Sequence, residues 1–210
     1  MEIGARDIVL VCDRVGIVAF AFSGVELGAR KHFDIFGLLV MGVVTATGGG
    51  LIRDLILDRV PFVIAHADYL GWAVGASLLS MAALAWRRPL PRWAIAGADA
   101  LGLGAFAVAG AFAAIDADFG PAVTVLLAAV TATGGGLLRD VLAARVPLVL
   151  RAEINATAAM LGGFLVWALH TWTTEGAALA GLAVTAMVRA YSVARHVNLP
   201  RPFPPPAGEE

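Results

Sequence analysis

The sequence is short of charge and nearly devoid of cysteine. Only 15% of its 210 residues are Asp, Glu, Lys or Arg, where soluble chains carry about a quarter. Cys12 is the single cysteine, which excludes an internal disulfide. Neither sign of charge dominates: 15 basic against 16 acidic side chains leave a net charge of −1. No basic cluster interleaves with aromatic residues, so nucleic acid is not expected as a partner. The amino terminus, MEIGARDIVLVCDR, has no basic stretch before its first apolar run and no small-x-small cleavage site. A cleavable signal peptide is therefore not expected, and the first apolar segment should stay as a helix. His32, His66, His170 and His196 lack metal-ligand spacing, and no serine-histidine or carboxylate pairing suggests hydrolysis. Neither an enzyme nor a cofactor is expected.

Apolar surface is what the chain has in excess. Sixty per cent of residues are hydrophobic and the mean hydropathy is +0.83. The excess falls into runs of about twenty residues, the length of a helix crossing about 30 Å of hydrocarbon. Seven spans are expected, at 8–28, 35–57, 67–86, 94–114, 121–143, 153–171 and 175–195. The expected fold is thus all-α and integral to the membrane. Trp72, Trp86, Trp93, Trp167 and Trp172 lie near span ends, where interfacial aromatics belong. The proline-rich tail at 198–210 is expected to be disordered.

Basic residues set the expected orientation. Arg6 and Arg59 fall on the side of the amino terminus, while Arg30, Lys31, Arg87, Arg88, Arg92, Arg145, Arg151, Arg189, Arg195 and Arg201 fall on the other. That bias places the carboxy terminus in the cytoplasm and the amino terminus outside, across a cell inner (plasma) membrane.

The chain also repeats itself. TATGGGLIRDLILDRVP at 45–61 returns as TATGGGLLRDVLAARVP at 131–147, an offset of 86 residues. The offset extends upstream, where Asp13, Gly16, Phe20 and Gly24 match Asp99, Gly102, Phe106 and Gly110. Each copy holds three spans, an odd number, so the second must enter from the opposite face. Residues 1–92 and 93–173 are therefore expected to form inverted three-helix repeats, followed by a seventh helix at 174–197. Such repeats place a functional path at their interface.

Gly48, Gly49 and Gly50, with their copies Gly134, Gly135 and Gly136, lie in the middle of spans 2 and 5. Each glycine weakens a helix by about 1 kcal/mol relative to alanine. A bend or break is expected there, freeing carbonyl oxygens as ligands for a monovalent cation, with Thr45, Thr47, Thr131 and Thr133 adding hydroxyls. Close helix packing is the rival reading, because small residues let two membrane helices approach. Ser23, Asn155 and Thr157 would line a path or bond their own helices.

The motif adds intramembrane charges. Arg53-Asp54 and Arg139-Asp140 follow the glycines by three to five residues, about 5–8 Å from mid-membrane. Ionisable groups at that depth face interior or aqueous cavities. Asp13 precedes Arg53 by 40 residues and Asp99 precedes Arg139 by the same number. The pairs Asp13–Arg53 and Asp99–Arg139 are expected, one at each mouth, with Asp54 and Asp140 competing and with the two motifs meeting at their glycines. These six residues are the expected gating charges. Glu26, without an acidic counterpart in the second copy, would attract cations or sit opposite Arg30 or Lys31. GGGLIRD lacks the Gly-Lys-Ser/Thr ending of a phosphate loop, which removes a nucleotide site.

Seven spans, two inverted repeats and a doubled GGGxxRD together resemble the prokaryotic branch of the trimeric intracellular cation (TRIC) channel family. The resemblance covers the chain from Asp13 through the seventh span. It implies a homotrimer in membrane lipid, with a pore in each subunit conducting potassium and sodium. It further implies kinks at Gly48 to Gly50 and Gly134 to Gly136 and a lining drawn from spans 1, 2, 4 and 5. The Lys-Glu-Val motif and lipid-holding basic residues of the animal channels are absent, so inositol-lipid control is not implied. Bacterial relatives with the doubled motif have also been regarded as glycine transporters, and carriage of a small amino acid is the alternative function.

Overall fold

The computed structural model describes residues 5–86, 92–151, 154–195 and 197. Among them the chain forms nine helices: α1 (Ala5–Arg30), α2 (Ile35–Ile56), α3 (Phe62–Ala65), α4 (Ala67–Ala85), α5 (Arg92–Ile115), α6 (Pro121–Leu142), α7 (Leu148–Arg151), α8 (Asn155–Leu169) and α9 (Thr174–Arg195). Six of these, α1, α2, α4, α5, α6 and α9, are long and apolar enough to cross a membrane. The expected span at 153–171 is shorter than the rest. Its helix α8 has 15 residues, roughly 22 Å at 1.5 Å per residue, and the short α7 precedes it. The tail at 198–210 lies outside the described residues.

Local chemistry sets the boundaries. The Asp34 carboxylate accepts the Gly37 amide at 2.7 Å and starts α2, whereas α6 opens on Pro121 at its first turn, where no amide proton is needed. Four helices end alike. His32, Asp58, Asp118 and Ala144 have positive φ. Behind each, the next amide reaches back five residues: Phe33 to Gly28, Arg59 to Asp54, Phe119 to Ala114 and Arg145 to Asp140. These left-handed caps satisfy the last carbonyls of a helix. His32 and Asp118 are 86 residues apart, as are Asp58 and Ala144, so the duplication extends to backbone conformation.

Ala144, at φ 51°, holds a conformation that costs a residue bearing a Cβ about 1–2 kcal/mol. Glycine there is expected to stabilise the fold by about 1 kcal/mol, the relief being offset in part by glycine's unfolded-state freedom. Valine should destabilise it. Denaturant titration of the purified protein in mild detergent would show the order Gly, Ala, Val; equal stabilities would contradict it.

Packing repeats the same symmetry. A Cβ on Gly16 would strike the Phe106 ring, and one on Gly102 would strike Phe20. The Phe20 and Phe106 rings meet edge to face at 5.2 Å between α1 and α5. Both are buried at the centre of the bundle. Small residues divide by role: Gly162 and Gly163 pack inside the chain, against Thr185 and Ala128, whereas a methyl added at Gly71 or Gly75 would meet nothing within 4 Å. That open groove is lined by Val18, Phe22, Trp72 and Leu79.

Candidate functional site

The two glycine triplets meet. A Cβ on Gly49 would lie deep inside the radius of the Thr131 carbonyl oxygen, and one on Gly135 would do the same to Thr45. Gly48 faces Gly135 and Leu138, while Gly134 faces Gly49 and Ile52. Residue numbers rise along α2 as their partners fall along α6, so the helices cross antiparallel. Neither helix is broken: α2 runs through Gly48–Gly50 and α6 through Gly134–Gly136. The expected break with freed carbonyls is thereby corrected. The absent side chains serve close approach, which is how small residues bring membrane helices together.

The threonines support the crossing. Thr45 and Thr131 are fully buried, each with its hydroxyl against a glycine of the preceding long helix, Gly24 and Gly110. Thr45 donates to the Met41 carbonyl at 2.6 Å, Thr47 to Val43 at 2.8 Å and Thr133 to Ala129 at 2.7 Å. Thr131 Oγ1 is buried without a partner.

Antiparallel crossing sends the charges to opposite ends. At the first end Arg53 is held on three sides. Its NH1 donates to Asp13 Oδ1 at 2.9 Å and its Nε to Asp54 Oδ1 at 2.8 Å. The Phe62 ring lies 5.5 Å from its guanidinium carbon, within cation–π range. All three charged side chains are buried. Asp54 does more than compete for Arg53, because its Oδ2 accepts the Phe62 amide at 2.8 Å and fixes the start of α3. Phe62 packs on Gly50 and meets Tyr69 edge to face at 4.8 Å.

The second end keeps half of this pattern. Arg139 Nε donates to Asp140 Oδ1 at 3.0 Å, and Asp140 Oδ2 accepts the Leu148 amide at 2.9 Å, starting α7. Arg145 adds two bonds to Asp140, at 2.9 and 2.6 Å. The expected Asp99–Arg139 pair, however, is not formed. Asp99 Oδ2 accepts from Arg189 Nε and NH2 at 3.2 and 3.0 Å, while Arg139 NH1 donates to the Ser23 hydroxyl of α1. The physical reason is a third cation, brought by α9, which captures Asp99 first. Arg189 sits within the 175–195 apolar run, and the rule that flags Arg53 and Arg139 flags it equally. The roles of Phe62, Leu148 and Arg145 carry no such signal.

Around Arg139 lies a cavity of about 30 Å³, lined among others by Asp99, Thr133, Gly136, Asp140 and Asn155. Asn155 Oδ1 is buried without a partner, and so is Tyr69 Oη, its counterpart 86 residues earlier. An aromatic cluster thus seals the first end and a small polar cavity occupies the second. Glu26 forms an ion pair with Arg30 at 2.5 Å, one turn away at the surface.

The chain matches the model of a family described as "Glycine transporter" over residues 10–85 and again over 97–171. It is 41% identical over 192 residues to the UPF0126 inner membrane protein YadS of Escherichia coli K12, covering 90% of this chain and 93% of that one. A UPF0126 membrane protein of Deinococcus radiodurans is 39% identical over 193 residues, with 90% and 89% covered. Among solved structures, one from work on conductance through TRIC cation channels superposes with a TM-score of 0.84 at 34% identity, covering 94% of this chain and 98% of that one. The TRIC trimeric intracellular cation channel orthologue from Rhodobacter sphaeroides superposes with a TM-score of 0.83, also at 34% identity, over 90% of this chain and 99% of that one. Two family matches in one chain, relatives covered almost end to end and a shared fold make this protein a member of the TRIC-type "Glycine transporter" family of membrane proteins.

Proposed function

We propose that the chain is a monovalent cation channel, conducting potassium and sodium through a path between its two repeats. The observation carrying this reading is the likeness to TRIC cation channel structures over more than nine-tenths of the chain, combined with buried arginines compensated by carboxylates at both ends of the glycine crossing. Two carboxylates, Asp13 and Asp54, face one guanidinium at the first end, and that excess suits a cation mouth. The Phe20–Phe106 contact and the tight glycine crossing fill the centre, so on this reading conduction requires the repeats to part at their glycines. Arg53 and Arg139 lie within the transmembrane field, which acts with about 2.3 kcal/mol per 100 mV on an elementary charge carried all the way across, and this makes them and their partners the gating charges. The working assembly is a homotrimer in the inner membrane. Each subunit has seven spans, two repeats at 1–92 and 93–173 and a helix at 174–197, with the amino terminus outside.

Glycine carriage is the second reading, favoured by the description of the matching family. Planar-bilayer recording of the purified protein in potassium gradients separates the two. Unitary potassium currents, with conductance far above any carrier turnover, are expected. Silent bilayers together with saturable glycine uptake into liposomes would transfer the assignment to a carrier.

A further inference from the structure

We infer that Arg189, on the helix outside both repeats, is a positioning residue that turns Arg139 from a partner within its own repeat into a tie between the repeats; its consequence for conduction rests on the channel reading above. The duplication supplies the control. At the first end Arg53 NH1 finds Asp13 on α1, inside the same repeat, at 2.9 Å. The equivalent carboxylate, Asp99 on α5, stands beside the same cavity as Arg139. A carboxylate adds ion-pair attraction and a bidentate fit that a neutral hydroxyl cannot offer a guanidinium, so Arg139 left to itself would take Asp99. Arg189 prevents this by holding Asp99 Oδ2 with two nitrogens. Arg139 NH1 then reaches the hydroxyl of Ser23, on α1 of the other repeat.

Ser23 is a second departure from symmetry. Its counterpart 86 residues later is Ala109, which accepts nothing, so Arg53 has no equivalent reach. One break in the repeat, on α1, and one residue from outside it, on α9, therefore converge on a single side chain. Among the described residues, the result is a side-chain bond across the repeats at the second end and none at the first. It joins a guanidinium to a neutral hydroxyl and is weaker than the Asp13–Arg53 ion pair. When the repeats part, this bond yields and the first-end pair, internal to one repeat, stays whole. The second end carries the latch between the repeats, and Arg189 sets it.

The test combines cryo-electron microscopy in lipid nanodiscs with single-channel recording. In Arg189→Met, Arg139 is expected to move from Ser23 to Asp99, and open probability to rise about tenfold, the factor that one lost polar bond of ordinary strength represents. Adding Asp99→Asn removes the competing carboxylate and should return Arg139 to Ser23 and open probability to the wild-type value. A merely structural arginine would give no such reversal of gating. Ser23→Ala, with Arg189 intact, should raise open probability by the same factor, and this variant decides the matter if Arg189→Met fails to fold. Arg139 remaining on Ser23 in Arg189→Met, or unchanged gating in Ser23→Ala, overturns the inference. Wild-type protein without unitary current would end the channel reading, while the position of Arg139 in the Arg189→Met structure would still decide the role of Arg189.

Discussion

Arg53→Met is expected to be among the most damaging single substitutions in this chain. Arg53 is buried between Asp13 and Asp54, which are themselves buried. Methionine matches the arginine stem in bulk but leaves two carboxylates facing each other with no counter-charge. Removing one partner from a buried pair destabilises a protein by about 3–5 kcal/mol. Loss of the monodisperse detergent-solubilised species is therefore expected. Asp13→Asn should cost far less, since Arg53 keeps Asp54 and gains an amide oxygen. The two changes together should recover part of what Arg53→Met loses, because Asp54 retains the Phe62 amide and no unpaired Asp13 remains. A double-mutant cycle on thermal stability measures that coupling. Additive effects of the two substitutions would show that the ion pair is incidental.

Gly49→Ala should disrupt the fold nearly as badly, while Gly136→Ala in the equivalent triplet should improve it. The added methyl at Gly49 meets the Thr131 backbone carbonyl, which cannot swing aside as a side chain would. Either α2 and α6 separate or the methyl does not fit, and over-packing of this kind costs about 1–3 kcal/mol or more. At Gly136 the nearest atom lies 3.7 Å away, at Arg139 NH2, an ordinary contact. Alanine there gains about 1 kcal/mol of helix propensity. Two glycine-to-alanine changes in one duplicated motif should thus move thermal stability in opposite directions, as read by fluorescence-detected size exclusion after heating. Equal tolerance at both positions would mean that the crossing is loose.

These contrasts show where a sequence stops being informative. The Asp13–Arg53 pair is legible because both residues belong to one sequence repeat and stand at one end of the glycine crossing. Identical spacing suggests Asp99–Arg139, yet Arg189 comes from a helix that neither repeat contains, and internal symmetry carries no information about it. The glycines are ambiguous for a different reason. Local energetics favour a bend or a break, and close contact with a second glycine helix supplies the packing that keeps α2 and α6 unbroken. The four-residue helices α3 and α7 are too short to leave any periodicity. They exist because a carboxylate eight residues upstream captures the amide following a proline.

The glycine crossing has one more consequence. Gly49 reaches Thr131 and Gly135 reaches Thr45, so each half offers the same patch to the other. A contact of this form is isologous, the kind that joins two identical subunits about a dyad. Its close backbone approach is the setting in which Cα–H groups donate weakly to carbonyl oxygens between helices, bonds that need no side chain and so survive divergence of everything around them. The same patch would also let two separate three-helix units, inserted in opposite orientations, pair with each other. Covalent linkage makes that pairing intramolecular and raises its effective concentration. It also frees the halves to differ, as they do at Ser23 and Ala109.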